Sequence, residues 1–97
     1  MYRLTPEASD DMIAIYVAGI ELFGLEQAEA YHTTLENTFD LIARNPHMSR
    51  ERVEITPPVH IQPHGSHIII YDIEDNGDVL ILRVRHGHED WKDQPLT

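Results

Sequence analysis

Towards the end of this 97-residue chain stands the run Arg83-Val84-Arg85-His86-Gly87-His88-Glu89-Asp90-Trp91. Two alternating arginines, two histidines and a tryptophan allow three kinds of chemistry: a metal site, an active site that cuts a phosphodiester, or a surface that another protein grips. A metal site would draw on His60, His64, His67, His86 and His88, since strands bring distant histidines together; His64-x-x-His67 spans a turn, and His86-x-His88 places both rings on one side if extended. No cysteine joins them and no helix carries two histidines around a glutamate at i, i+4, so no metal is expected. Cutting an RNA phosphodiester by its 2′-hydroxyl needs a general base, a general acid and cations for the developing charge. Arg83 and Arg85 can stabilise charge and His86 or His88 can act as an acid, but no tyrosine follows the last strand and the only lysine is Lys92. Glu26, Glu29, Glu36 and Asp40 read as a solvated helix face, so no carboxylate pair and no catalytic residue is expected.

Charge narrows the field. Seven lysines and arginines face seventeen aspartates and glutamates, a formal net charge of -10. Nucleic-acid affinity rests largely on cationic neutralisation of phosphates, so direct binding of DNA or RNA is disfavoured. The 41% apolar and 25% charged fractions are those of a globular domain. The absence of cysteine fits a reducing cytoplasm. The N-terminus lacks the basic and apolar regions of a signal peptide. The most apolar run, Met12 to Ile20, is far short of the roughly 20 residues needed to span a bilayer.

The elements that must position these residues follow from local signals. Tyr2-Arg3-Leu4 is a short β-like start. Thr5-Pro6-Glu7 reads as an N-cap, a proline at the first helical position and an acid near the positive dipole end. Ala8, Met12, Ile15, Tyr16, Gly19, Leu22 and Phe23 form a helical stripe, widened by Ile13, Val17 and Ile20, and Gly24 ends it. A second helix is expected from about Glu26 to Arg44, closed by Asn45-Pro46 and antiparallel to the first. Residues 46–58 read as an exposed loop, Val59 to Gln62 as a short strand and Ser66 to Ile73 as a longer one. Asn76-Gly77 signals a hairpin, with Val79 to Arg85 as the partner strand. The expected fold is a single α+β domain over residues 1–97 of order β-α-α-β-β-β, a helical hairpin on a small, mainly antiparallel sheet.

Alternation puts Leu80, Leu82 and Val84 on one face of the last strand and Val79, Ile81, Arg83 and Arg85 on the other. On the strand before it, Ile68 and Ile70 oppose Ile69, Tyr71 and Ile73. Both faces are apolar over part of their length and the helical hairpin covers only one. The uncovered face is expected to dock a partner, with the arginines projecting from it. Candidate contact residues are Ile68, Ile70, Val79, Ile81, Arg83, Arg85, His86 and Trp91. Arg83 and Arg85 also read as charges that keep a strand edge soluble, and Trp91 as an anchor sealing the end of the core.

Three stretches in this order, YRLTPEASDDMIAIY, FGLEQAEAYHTTLENTFDLIARNP and GSHIIIYDIEDNGDVLILRVRHGHEDW, resemble the ParE branch of the RelE/ParE toxin superfamily over nearly the whole length. The resemblance implies a type II toxin–antitoxin toxin that poisons DNA gyrase by protein–protein binding. It further implies neutralisation by a ParD-like antitoxin whose C-terminal segment folds onto the toxin, in a heterotetramer or larger even assembly, with no cofactor. The alternatives are a RelE-like ribosome-dependent mRNA endoribonuclease and an antitoxin-binding domain without toxicity. ParE-like toxins are commonly near neutral or basic. This chain departs from that pattern, and so its partner needs compensating cations or must rely on apolar burial.

Overall fold

The computed structural model describes residues 1–87. Among them, strand β1 (Tyr2–Leu4) is followed by helices α1 (Pro6–Phe23) and α2 (Leu25–Arg44), a 3-10 turn (Pro46–Met48), and strands β2 (Glu51–Arg52), β3 (Val59–His64), β4 (His67–Ile73) and β5 (Val79–His86). The sheet order is β1-β5-β4-β3-β2. The three later pairs are antiparallel, whereas β1 lies parallel to β5, with Tyr2 opposite Val79 and Leu4 opposite Ile81. The chain thus enters at one edge, makes the helical hairpin across one face, and returns through the sheet.

The helix boundaries obey their caps. Thr5 is extended; its Oγ1 accepts from the Ala8 amide at 3.0 Å and donates to the Leu82 carbonyl at 2.7 Å. One hydroxyl therefore caps α1 and ties it to the edge of β5. Gly24 alone separates the helices, at φ +92°, a backbone state open to glycine; its amide donates to Ile20 O and its carbonyl accepts from Ala28. The expected hairpin turn is present in a three-residue form, with only Gly77 at positive φ and the Glu74 amide donating to Asp78 O at 2.7 Å.

Two corrections concern the sheet faces. Ile70 pairs with Arg83 but Tyr71 pairs with Ile81, so Leu82 is an extra residue, a β-bulge. An extra residue reverses alternation beyond it. Val84 therefore joins Ile69, Tyr71, Val79 and Ile81 beneath Ala8, Met12, Leu35, Phe39 and Ile42, and Leu82 packs on the opposite side. Val79 and Ile81, expected on the uncovered face, are fully buried under the helices. The second correction is that the opposite face carries its own cover. The segment expected to be an exposed loop contains β2 and sends Ile55 down onto Val59, Ile61 and Ile70, with Ile68 and Leu82 at the margin. Burial of these side chains repays ordering the loop at about 25 cal/mol per Å² of apolar surface.

The same segment is fastened on the helix side by polar groups. Tyr71 Oη donates to Pro46 O at 2.8 Å. The buried His60 ring stacks on Tyr71, with centroids 5.1 Å apart, and its Nδ1 lies 2.6 Å from Ser49 O. Burial pushes the Tyr71 phenol up from its ordinary value.

Candidate partner-binding groove

Helix α1 is apolar around most of its circumference, yet only Ala8 and Met12 are fully buried. Ile13 is 63% exposed, Leu22 72% and Phe23 64%. The N-terminal half packs on the sheet, while the C-terminal half leaves apolar surface uncovered, which a helix in a small domain does where something else is to pack.

Part of that surface is concave. A groove of about 520 Å³ is lined on α1 by Ala14, Ile15, Ala18, Gly19, Leu22 and Phe23, on α2 by Gln27, Ala28 and Tyr31, and at the end of the sheet by Ser66, His67 and His86. Its depth comes from small side chains. The helices approach so closely at the Gly19–Ala28 crossing that a Cβ on Gly19 would sit 3.2 Å from the Ala28 Cβ. A smaller cleft of about 230 Å³ adjoins it. That cleft shares Ala14, Ile15, His67 and His86 and adds Asp11, Arg83, Val84 and Arg85.

The sheet end of the groove is polar and held in place. Tyr31 Oη lies 2.7 Å from His67 Nδ1 and donates to His64 O at 3.2 Å. The His67 and His86 rings, opposite each other on β4 and β5, meet edge to face at 5.5 Å. Burial pushes the Tyr31 phenol up. Gly65, at φ +56°, lets the β3–β4 turn pass under Tyr31, where a Cβ would come within 2.8 Å of the phenol oxygen. Gly87 N donates to Ser66 O at 2.8 Å and closes the β4–β5 pair.

His64 Nε2 and Nδ1 each lie 3.0 Å from a hydroxyl, Thr34 and Thr38 of α2. The same hydroxyls donate to carbonyls of α2, Thr34 to Tyr31 O at 2.7 Å and Thr38 to Thr34 O at 3.0 Å. Burial holds the ring's pKa below its ordinary 6.5. Between 6.5 and the lower folded value the unfolded chain binds more protons than the folded one. Stability against urea is therefore expected to be intact above about pH 6.5 and to fall as pH is lowered through that window. In His64→Gln this component of the pH profile should be missing. A wild-type midpoint that stays level from pH 7 to 5 would contradict the assignment.

The arginines divide. Arg83 Nε and Nη2 donate to the two carboxylate oxygens of Asp11 at 2.8 and 3.0 Å, and Asp11 Oδ2 also accepts the Val84 amide at 3.0 Å. Both side chains are largely buried, at 22% and 15% exposure. The reason lies in the strand register. β1 covers β5 only as far as Ile81, and beyond it the Leu82 carbonyl and Val84 amide meet Thr5 and Asp11 instead of another strand. Arg83 is thus drawn to α1, which corrects the expectation that it projects from the helix-free face. Arg85 and His86 are half-buried, His86 lining both hollows and Arg85 the smaller one. Ile70 is fully buried in the second cluster and Ile68 half-buried at its margin. Trp91 and His88 lie outside the described residues. No cluster of three metal-ligating side chains occurs among the described residues.

Sequence reasoning missed Ala14, Ala18, Gly19, Leu22, Phe23 and Ala28 as one surface. Their signal was present: an 18-residue helix with more apolar positions than one stripe can bury. Chemically, an apolar floor closed at one end by imidazoles and a serine suits a protein segment. No helix among the described residues is long and apolar enough to cross a membrane.

The family model described as "ParE toxin of type II toxin-antitoxin system, parDE" matches residues 2–91. The chain is 32% identical over 89 residues to Toxin ParE1 of Mycobacterium tuberculosis, covering 92% of this chain and 91% of that one. It is 31% identical over 85 residues to Toxin ParE1 of Caulobacter vibrioides, covering 88% and 86%. Among solved structures, a chain of the chromosomal ParDE TA system from P. aeruginosa superposes with a TM-score of 0.74 at 18% identity, covering 88% of this chain and 92% of that one. At that identity the likeness speaks for the fold.

Proposed function

Because the chain belongs to the ParE toxin family of type II toxin–antitoxin systems, we propose that it acts in the cytoplasm by binding DNA gyrase and without catalysis, and that a ParD-like antitoxin segment silences it. The observation that carries the reading is the groove. An uncovered apolar channel of about 520 Å³ on a small acidic domain is a seat for an amphipathic segment. Such a segment orders as it binds, and burial of its apolar face offsets the ordering entropy. A formal charge of -10 also argues against a toxin that grips DNA or RNA directly. The assembly that follows is a heterotetramer or a larger even complex.

A groove between α1 and α2 replaces the uncovered sheet face as the proposed antitoxin seat. Ile55 already covers much of that face, whereas Ala14 and Ala18 are exposed. Arg85 and His86 remain proposed contact residues, His86 at the groove's end and Arg85 in the adjoining cleft.

The test is purified toxin added to a gyrase supercoiling reaction, with its early effect on growing cells followed in parallel. Inhibition at micromolar toxin, relieved by the antitoxin, and a DNA damage response with translation continuing, are the expected results. Cleaved messages with immediate translation arrest would transfer the assignment to the ribonuclease branch. A soluble, harmless protein that still binds its antitoxin would identify an antitoxin-binding domain without toxicity.

A further inference from the structure

The two walls of the groove differ in charge. On α1, Asp10 lies one turn before Ala14 and Glu21 one turn after Ala18, so both stand on the rim beside the exposed alanines of the floor. Both are exposed, and no ion pair engages either among the described residues. They are about 16 Å apart along the axis at 1.5 Å per residue. The α2 wall, Gln27 and Tyr31 with Thr34 one turn on, carries no charge. Of the arginines nearby, Arg83 is held by Asp11 and Arg85 lines the adjoining cleft. Glu21 is also out of place as a helix residue. It lies in the last turn of α1, where the partial negative charge of the helix end favours a cation, and that turn has none. A residue set against local helix chemistry, with no neighbour to offset it, marks a place where function overrides the fold.

Resting on the reading of the groove as the antitoxin's seat, we propose that the bound segment is amphipathic and basic along one edge. Its apolar face lies on Ala14, Ala18 and Leu22, and lysines or arginines about three helical turns apart meet Asp10 and Glu21. The uncharged α2 wall takes its other edge. The acidic chain is thereby matched by cations in its partner and not by apolar burial alone. An acidic segment would set carboxylates against the α1 rim, and a second copy of this chain would bring its own charge of -10, so both are disfavoured.

The experiment uses the 97-residue chain and two designed amphipathic peptides with the same leucine and alanine face. One carries lysines at the two edge positions and the other glutamates, and binding is read by fluorescence anisotropy in low and high salt. The lysine peptide is expected to bind at least about tenfold more tightly, with the gap narrowing as salt is raised from about 0.05 to 0.5 M. Overall charge also attracts lysine, so two double variants of equal charge are compared. Asp10→Lys with Glu21→Lys should abolish or reverse the preference. Asp40→Lys with Glu51→Lys, both exposed and off the groove, should retain most of it. Glu21→Lys alone should raise the urea midpoint, through the helix dipole, while weakening the lysine peptide. Equal binding of both peptides to the wild type, or equal loss of preference in the two double variants, overturns the charged edge. The groove reading then still stands if Ala18→Glu abolishes binding. Binding by neither peptide, or binding that Ala18→Glu leaves unchanged, overturns both.

Discussion

Ala18→Glu is expected to leave the fold intact and to weaken binding of the antitoxin segment by at least about a hundredfold, which is roughly 2.7 kcal/mol. Ala18 is exposed and forms part of the groove floor. Glutamate is nearly as good a helix former as alanine, within a few tenths of a kcal/mol, so α1 loses little. In the free toxin the carboxylate stays in water. A bound segment would strip that water away and leave the charge against apolar side chains, at a cost of several kcal/mol unless it finds a partner. Val17→Glu is the matched control. It adds the same charge one residue earlier, on a position that does not line the groove. Calorimetric titration should show near-normal binding for Val17→Glu and little or none for Ala18→Glu, with equal urea midpoints. Undiminished binding by Ala18→Glu would remove the groove from consideration.

A second large effect is expected in stability. Asp11→Ala should lower the unfolding free energy by about 2–4 kcal/mol. Asp11 accepts three hydrogen bonds, two from the Arg83 guanidinium and one from the Val84 amide. Removing the carboxylate takes away the acceptor that covers the edge of β5 and the counter-charge of a largely buried arginine. Against the 5–15 kcal/mol typical of a whole domain that is a large share. Asp11→Asn keeps one acceptor oxygen and should fall between. The comparison that isolates burial is Arg3 with Glu74, also a two-bond pair, at 3.1 and 2.7 Å. Arg3 is 66% exposed on its side chain, and water screens the pair. Arg3→Ala should leave the urea midpoint close to wild type. If Asp11→Ala were as mild as Arg3→Ala, the β5 edge would have to be held by Thr5 and packing alone.

The arginine-rich end of β5 thus has two physical parts. Arg83 serves the fold by joining strand to helix where β1 stops. Arg85, one pleat further and beside His86, lines the cleft that adjoins the groove. Spacing assigns both to one face, and the regular pairing of Arg83 with Ile70 and Arg85 with Ile68 keeps them there. Arg83 departs because β1 ends opposite Ile81 and leaves the edge open for it to reach Asp11.

Local chemistry made much of the architecture legible. Thr5-Pro6 starts α1, Gly24 turns the hairpin, Asn45-Pro46 stops α2 and Asn76-Gly77 joins the last two strands. Each is a backbone requirement met within about four residues, so the residue types reveal it. Three ordered stretches also carry the family likeness, which reflects residue identity rather than geometry. Other features depend on residues far apart in the chain. The parallel pairing of β1 with β5 joins residues more than seventy positions apart. Ile55 becomes a cover only when β3 and β4 lie beneath it. The groove requires α1 and α2 to close at Gly19 and Ala28 while Tyr31 meets His67 from the sheet. Apolar periodicity shows that a surface will be buried but is silent about what buries it. That choice belongs to tertiary packing, which here covers one face of the sheet with the helices and the other with a loop, and leaves the outer side of α1 uncovered.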